Sequence, residues 1–485
     1  MSIRKKNILL SIIILIPVIV LLNIYFIGIG FYYDSITNFL VNVYESVIPK
    51  EPNYKIIDPA YCKRYKKTFA NLPEGFIHSG HMLFYKAMKR IRIREIAEKA
   101  IAYTHFYKIY QLKMAIKEYN SIGRNTIQRD TVLYIPSSLP TFLLDYKKRK
   151  KPEIKYVRGL YFTGYSIGSE NIVQTIKRLK EVGINAIVFD AKDVVGVVNY
   201  YSRVSDVQQY RTHDKRSIDD IDKLIRILRE NNIYIIVRIS VFRDHLICRR
   251  NPNFAIRSRS TGGIWNYGSK ELWCDPSNKM VQDYNIALAI ELADKGVDEI
   301  QFDYIRFPTV GNIRDADFKY HFGRMSNEET IAHFLKRAYN EISPRNTLLS
   351  IDIFGVVAWG KKVDIRNTGQ KVEILSQYCD ILSPMLYPSH FEDHFEGFEK
   401  PGDHPYYFIY NGCRKVTALS GGKAVRPWLQ AFKWRTTLYN KYYILEEILA
   451  CRDAGAVGYM FWNSRNNYDT VYQALSHMAY SKLDR

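Results

Sequence analysis

Cysteine is scarce in this chain, with 6 in 485 residues, and no two of them stand as C-x-x-C. That excludes a zinc knuckle and a thioredoxin-type redox motif. A disulfide scaffold would need a far higher density. Cys248 with Cys274 is one pairing the count permits, and isolated buried thiols are the other reading. A glycine phosphate loop is missing too. The first strand-like run of the large C-terminal region is followed by TGYSIGS (163–169), not G-x-G-x-x-G. Acidic residues are few beside basic ones, 49 against 70, for a net charge of +21. Apolar and aromatic residues are plentiful: hydrophobic residues make up 47%, with 38 Tyr, 24 Phe and 6 Trp. This composition excludes a disordered or collagen-like chain and supplies both a large core and a binding surface. At about 150 residues per domain the length fits two to four domains, or fewer if one is an α/β barrel.

The charge is unevenly placed. Residues 50–155 carry 23 basic and 9 acidic side chains, whereas 156–485 carry 44 and 38. A segment of that kind favours polyanions, among them nucleic acid, anionic lipid and acidic wall polymers. Nucleic acid is set aside because the segment follows an export signal and holds no nucleic-acid-binding motif.

That signal lies at the start. Arg4, Lys5 and Lys6 precede an uncharged apolar run from Ile8 to Tyr33, long enough for the hydrocarbon layer of a bilayer. Bulky residues continue to Tyr33 with no small-x-small cleavage site, which predicts an uncleaved signal anchor over residues 1–35. Basic residues before the run, and Asp34 and Glu45 after it, put the N-terminus in the cytoplasm and the remainder outside at the cell membrane. A linker over 36–89 follows. Residues 90–138 then read as two helices and a closing strand. Ile96-Ala97, Asn120 and Asp130 through Pro136 resemble a degenerate LysM module, although Arg90-Ile91-Arg92-Ile93 replaces its usual opening strand. The resemblance implies binding to N-acetylglucosamine-containing glycan; a helical spacer is the plain alternative. KKRKK (147–151) marks a basic linker over 139–155.

From residue 156 to 485, apolar strand-like runs alternate with amphipathic helix-like runs. The strands are expected over 157–163, 185–192, 234–242, 298–307, 348–355, 380–387, 425–432 and 456–463. The helices are expected over 169–182, 217–231, 279–295, 326–342, 367–377, 408–420, 441–453 and 469–480. Eight such units predict an α/β chain whose main domain is a (β/α)8 barrel. Catalysis in that fold belongs to the C-terminal ends of the strands. The polar and aromatic residues there are Asp190, Asp193, Arg238, Asp303, Arg306, Asp352, Tyr387, Gln430, Trp434, Trp462 and Asn463. Trp273 lies in the loop after strand 3.

Carboxylates at a barrel mouth flanked by Trp and Tyr suit glycoside hydrolysis, where one acid protonates the leaving oxygen and a second attacks or activates water. The blocks GINAIVFDAKDVVGVVNY (183–200), IYIIVRISVFRD (233–244), GGIWNYGSKELWCDP (262–276) and GVDEIQFDYIRFP (296–308) resemble one family of extracellular glycoside hydrolases. That family is distantly similar to the α-amylase and α-galactosidase superfamilies, and the likeness covers about residues 156–465. It implies Asp303 as nucleophile at the end of strand 4. The α-amylase group takes its acid from a Glu on strand 5, where Asp352 stands here. The α-galactosidase group takes it from strand 6, where Tyr387 stands. Asp352, Asp190 and Asp193 therefore all remain candidates for the acid. Burial against Arg306 or Arg238 is the structural alternative for Asp303. Arg238 and Arg306 are expected to hold the charge state, with Trp273, Tyr387, Gln430, Trp434, Trp462 and Asn463 around the sugar. The expected partner is a polysaccharide or peptidoglycan-like glycan, with no cofactor and no metal.

Three rival readings use the same residues. A chitinase-like D-x-x-D-x-D-x-E would fall on Asp298, Gln301, Asp303 and Ile305, losing its proton donor. A metal-dependent polysaccharide deacetylase would use His390 and His394, if an H-x3-H spacing on a helix let both imidazoles reach one ion. An inert barrel that only binds or scaffolds glycan is the third.

Overall fold

The computed structural model describes residues 72–79, 82–104, 106–136, 150–267, 271–319 and 325–481. The chain divides into two compact units between Leu143 and Leu144. The apolar run read as an anchor over 1–35 lies outside the described residues, as does most of the 139–155 linker. Among the described residues no helix is long and apolar enough to cross a membrane.

In the larger unit the eight apolar runs become parallel strands: Val157–Phe162, Ala186–Lys192, Tyr234–Ser240, Glu299–Asp303, Leu348–Phe354, Ile381–Met385, Trp428–Gln430 and Gly458–Trp462. Each pairs with the next in chain order, and the eighth pairs with the first, so the sheet closes. Closure explains the composition of these runs. A strand in a parallel barrel packs on side chains inside and helices outside, so it is apolar on both faces. Every residue of Ala186–Lys192 is buried. The seventh strand is split, because Ala424–Val425 also pairs with the sixth strand before Pro427 interrupts the ladder. Proline has no N–H to give. Just before it, the Arg426 guanidinium forms a fully buried ion pair with Glu299 inside the barrel.

Crossover helices follow the strands at Ile172–Glu181, Ile221–Glu230, Lys279–Asp294, Asn327–Ile342, Pro405–Leu419, Lys441–Asp453 and Asp469–Ser481. The fifth differs from expectation. It breaks into Lys362–Thr368 and Val372–Leu375. Gly369 at the break has φ +76, and a Cβ there would lie 2.7 Å from the Asn327 carbonyl oxygen. The fourth helix thus comes too close for a continuous helix to pass with any side chain at 369.

The smaller unit begins before residue 90. A strand at Met82–Lys86, within the stretch read as linker, pairs antiparallel with Phe76–Ser79 and with Val132–Ile135. Between them run helices Ile93–Ala100 and Ile109–Tyr119. Arg90-Ile91-Arg92-Ile93 contributes only a two-residue strand, Ile91–Arg92, paired with Thr126–Ile127. Asn120 closes the unit: its side-chain nitrogen donates to the Ile116 and Tyr134 carbonyls, and its oxygen accepts the Tyr134 N–H.

One buried acid on the barrel wall has a measurable consequence. Glu447, on helix Lys441–Asp453, accepts the Gln430 N–H through Oε1, while Oε2 has no hydrogen-bond partner among the described residues. Burial pushes its pKa well above the ordinary carboxylate range, outweighing the Gln430 hydrogen bond. A folded-state pKa above the unfolded one makes the contribution of this group largest at acid pH and lost as pH rises. Glu447→Gln keeps the acceptor and removes the charge. Denaturant titration should show the variant gaining about 1–3 kcal/mol near neutral pH, with the gain shrinking towards the normal carboxylate pKa.

Candidate active site

The ends of strands 2, 3, 4 and 5 meet around one guanidinium. Asp190 and Arg238 are register partners on neighbouring strands, Arg238 is level with Gln301, and Asp303 is level with Ser240. A bulge between Asp190 and Lys192 re-aims the end of strand 2. From this platform Arg238 donates to two carboxyls and lies near a third. Its Nη1 reaches Asp190 Oδ1 at 2.5 Å. Its Nη2 and Nε reach Asp303 Oδ2 at 2.5 and 3.1 Å. Its Nε also lies 3.9 Å from Asp352 Oδ2. All four side chains are buried.

The carboxyls differ in their remaining partners. Asp190 Oδ2 accepts the Tyr161 hydroxyl at 2.5 Å. Asp303 Oδ1 accepts the N–H of Tyr304 at 2.5 Å. Asp352 Oδ1 accepts the indole N–H of Trp428 at 2.7 Å, and its Oδ2 has no hydrogen-bond partner among the described residues. Burial, then the charge of Asp303, pushes Asp352 well above the ordinary aspartate range despite Arg238 and Trp428. Burial also raises Asp190, against the pull of Arg238 and Tyr161. The cluster therefore separates two kinds of acid. Asp303 is bound twice by a guanidinium, and Asp352 is pushed towards its neutral form with one oxygen lacking a hydrogen-bond partner among the described residues.

Tyr304 shapes the exit of strand 4. Its φ is +52, a conformation a bulky L-residue seldom adopts and one that clusters at functional sites. Its hydroxyl accepts Arg243 Nη1 at 2.8 Å, and its ring meets Trp273 edge-on at 5.7 Å. Tyr161, Trp428 and Tyr304 were not among the expected site residues. For the first two the available signal was position, each being a polar-tipped aromatic on a barrel strand.

The other expected residues fall into distinct places. Arg306 is not a partner of Asp303. Its guanidinium lies over Trp273, Tyr304 and Phe354, with centroids at 4.9, 5.5 and 5.2 Å, and donates to the Phe307 carbonyl. Trp273 is buried beneath that stack. Asp193 Oδ1 accepts the N–H groups of Val195, Gly196 and Val197, which holds the turn after strand 2. Burial, followed by the charge of Asp190, raises its pKa to about 6. Gln430 is buried, accepting Ser389 through Oε1 and donating to the Phe432 carbonyl. Asn463 holds its own loop through Ala431, Arg465 and Asn467. Tyr387, Phe432 and Trp462 form a ring cluster with centroids 5.5–5.9 Å apart. Trp434 is 47% exposed and packs on His390. His390 and His394 do not share a helix. The first ends a short 3-10 turn, and His394 has φ +65 in a loop. The geometry the deacetylase reading needs is thus lacking, and no group of three or more metal-ligating side chains occurs among the described residues.

A closed (β/α)8 barrel with clustered carboxyls and aromatic rings at its C-terminal end defines a barrel of the glycosidase class. Residues 159–468 match the family described as "Putative glycosyl hydrolase domain", and the chain belongs to that family. No curated protein matches it. Among solved structures, a hypothetical protein from Ruminiclostridium thermocellum is 34% identical over 40% of this chain and 96% of its own, with a TM-score of 0.36. A β-galactosidase from Marinomonas is 11% identical over 67% of this chain and 59% of its own, at 0.48. A GH36 α-galactosidase from Geobacillus stearothermophilus is 12% identical over 75% and 47%, at 0.43. These likenesses accompany the barrel seen directly and say nothing of substrate.

Arg238 is the keystone of the cluster in a testable sense. Arg238→Met would leave buried carboxyls facing one another without a counter-charge, costing about 3–5 kcal/mol. The loss should be smallest at acid pH, where all three carboxyls are neutral in both states, and should grow as pH rises. Urea melts across that range read both size and sign.

Proposed function

We propose that this barrel hydrolyses a glycosidic bond in a cell-wall or surface polysaccharide, with Asp303 as nucleophile or base and Asp352 as proton donor. The observation that carries the reading is the shared guanidinium. Arg238 grips Asp303 through two nitrogens, while burial and the neighbouring Asp303 charge push Asp352 towards its protonated form. Glycoside hydrolysis needs just such a pair, one carboxylate and one carboxylic acid at the same pH. Asp190, tied to Tyr161 and Arg238, positions the guanidinium. Asp193, bound by three backbone N–H groups, holds the turn beside it. Tyr387, Trp462 and the exposed Trp434 offer aromatic faces to sugar rings.

The protein is read as a single-pass membrane protein, N-terminus cytoplasmic and barrel extracytoplasmic. The uncharged run of residues 8–33 behind three basic residues supports this. The small basic unit is read as LysM-like and glycan-holding. Its strand–helix–helix–strand order, with Met82–Lys86 paired to Val132–Ile135, supports that reading, as does Asn120 clamping the closing strand.

Release of reducing sugar from purified wall polysaccharide tests the assignment. Asp352→Asn should lower kcat by about 10²–10⁴-fold while polysaccharide binding and the melting temperature hold. Asp303→Asn should abolish turnover with binding retained. In the parent the rate should fall on the alkaline side only above the ordinary aspartate range, because activity is lost as Asp352 deprotonates. Undiminished hydrolysis by a folded Asp303→Asn variant would return this cluster to a purely structural role.

A further inference from the structure

Four of the five described cysteines stand as two buried pairs. Cys248 and Cys274 have their sulfurs 3.4 Å apart. Cys413 and Cys451 are likewise neighbours, one on helix Pro405–Leu419 and the other on helix Lys441–Asp453, which pack against each other. All four are buried thiols. In a chain with only 6 cysteines, two independent contacts of this kind are far from random placement.

We infer that these are two cystine sites, Cys248 with Cys274 and Cys413 with Cys451, each closing to a disulfide when the chain folds in an oxidising compartment. The compartment rests on the extracytoplasmic reading; the pairing does not.

The first pair sits on backbone that is already held. Cys274 donates its N–H to the Phe242 carbonyl at 2.8 Å, and Asp244 donates its N–H to Leu272 at 3.2 Å. Asp244 also caps the turn of helix that carries Cys248, through the Ile247 N–H, while its other oxygen takes the buried Lys192 ammonium at 2.8 Å. Closure needs the sulfurs to approach to about 2.05 Å. The resulting link would brace the loop after strand 3, which brings Trp273 beneath Arg306 beside the site. The second link would staple two neighbouring crossover helices on the barrel's outer layer.

The chemistry balances with an external disulfide as oxidant. For each pair two S–H bonds are lost and one S–S bond forms. The two electrons and two protons reduce the oxidant to two thiols, through a mixed disulfide. The attacking species is the thiolate. Burial pushes Cys248 and Cys451 well above the ordinary thiol range. Closure therefore belongs to folding, before the sulfurs are sealed from solvent, and the finished bonds resist later reduction. Cys379 is an internal control: it is buried too, with Lys423 and Asp380 as its charged neighbours.

The test uses the full chain in detergent, denatured and reduced, then refolded in mixed oxidised and reduced glutathione. It is alkylated and mapped by mass spectrometry without reductant. The expected result is two linked peptides, 248 with 274 and 413 with 451, each lighter by two hydrogens, with Cys379 alkylated. Cys248→Ser should expose Cys274 to alkylation and leave the second link intact. Refolded protein with all four thiols alkylated, or with the pairs exchanged, overturns the inference. A parallel map of protein taken directly from cells separates the two readings. Links that form in glutathione but are absent in cells uphold the cystine sites and defeat the extracytoplasmic placement.

Discussion

The Arg238 guanidinium is the point on which the upper barrel turns. It takes Asp190 from strand 2 and Asp303 from strand 4 by hydrogen bond, and it lies 3.9 Å from Asp352 on strand 5. Burying one cation with several carboxyls is expensive unless each polar atom finds a partner. Tyr161, the Tyr304 N–H and Trp428 supply most of those partners, which binds strands 1, 4 and 7 into the same network. The exception is one oxygen of Asp352. A buried polar atom left open inside an otherwise satisfied cluster marks the place where an incoming polar group gains most.

The same cluster explains why the acids are unequal. Asp303 meets the guanidinium through two nitrogens, whereas Asp352 meets it at the edge and faces the charge of Asp303. Burial and the Asp303 charge thus make ionising Asp352 costly, and Arg238 offsets only part of that cost. That asymmetry is built from burial and charge alone, and the proposed glycoside cleavage would draw on it.

Much of the fold was legible. All eight strands lie where the apolar runs placed them, because a parallel barrel buries both faces of every strand and so leaves a continuous apolar signature. Asp303 and Asp352 stood out as acids at strand ends. What could not be read is register. That Arg238 would stand beside Asp190, and that Arg306 would turn away to the Trp273 and Tyr304 rings, depends on pairing across strands and on the bulge after Asp190. No local pattern encodes either. Gln430 and Asn463 looked like sugar contacts, yet their side chains are taken up by loop backbone, since polar groups at strand ends serve turns as readily as ligands. The strand Met82–Lys86 went unread because it lacks the Gly-Asp-Thr expected of an opening strand. The split fifth helix was hidden because Gly369 signals a break only when the neighbouring fourth helix is known.

The most direct measurement is the protonation of Asp352 itself. Infrared difference spectra between the parent protein and Asp352→Asn at neutral pH isolate that one group. The account predicts that the substitution removes a protonated-carboxyl C=O band, while the matching Asp303→Asn difference removes a carboxylate band. If the Asp352 difference shows only a carboxylate lost, Asp352 is charged beside Asp303, and the division of labour proposed for this site is wrong.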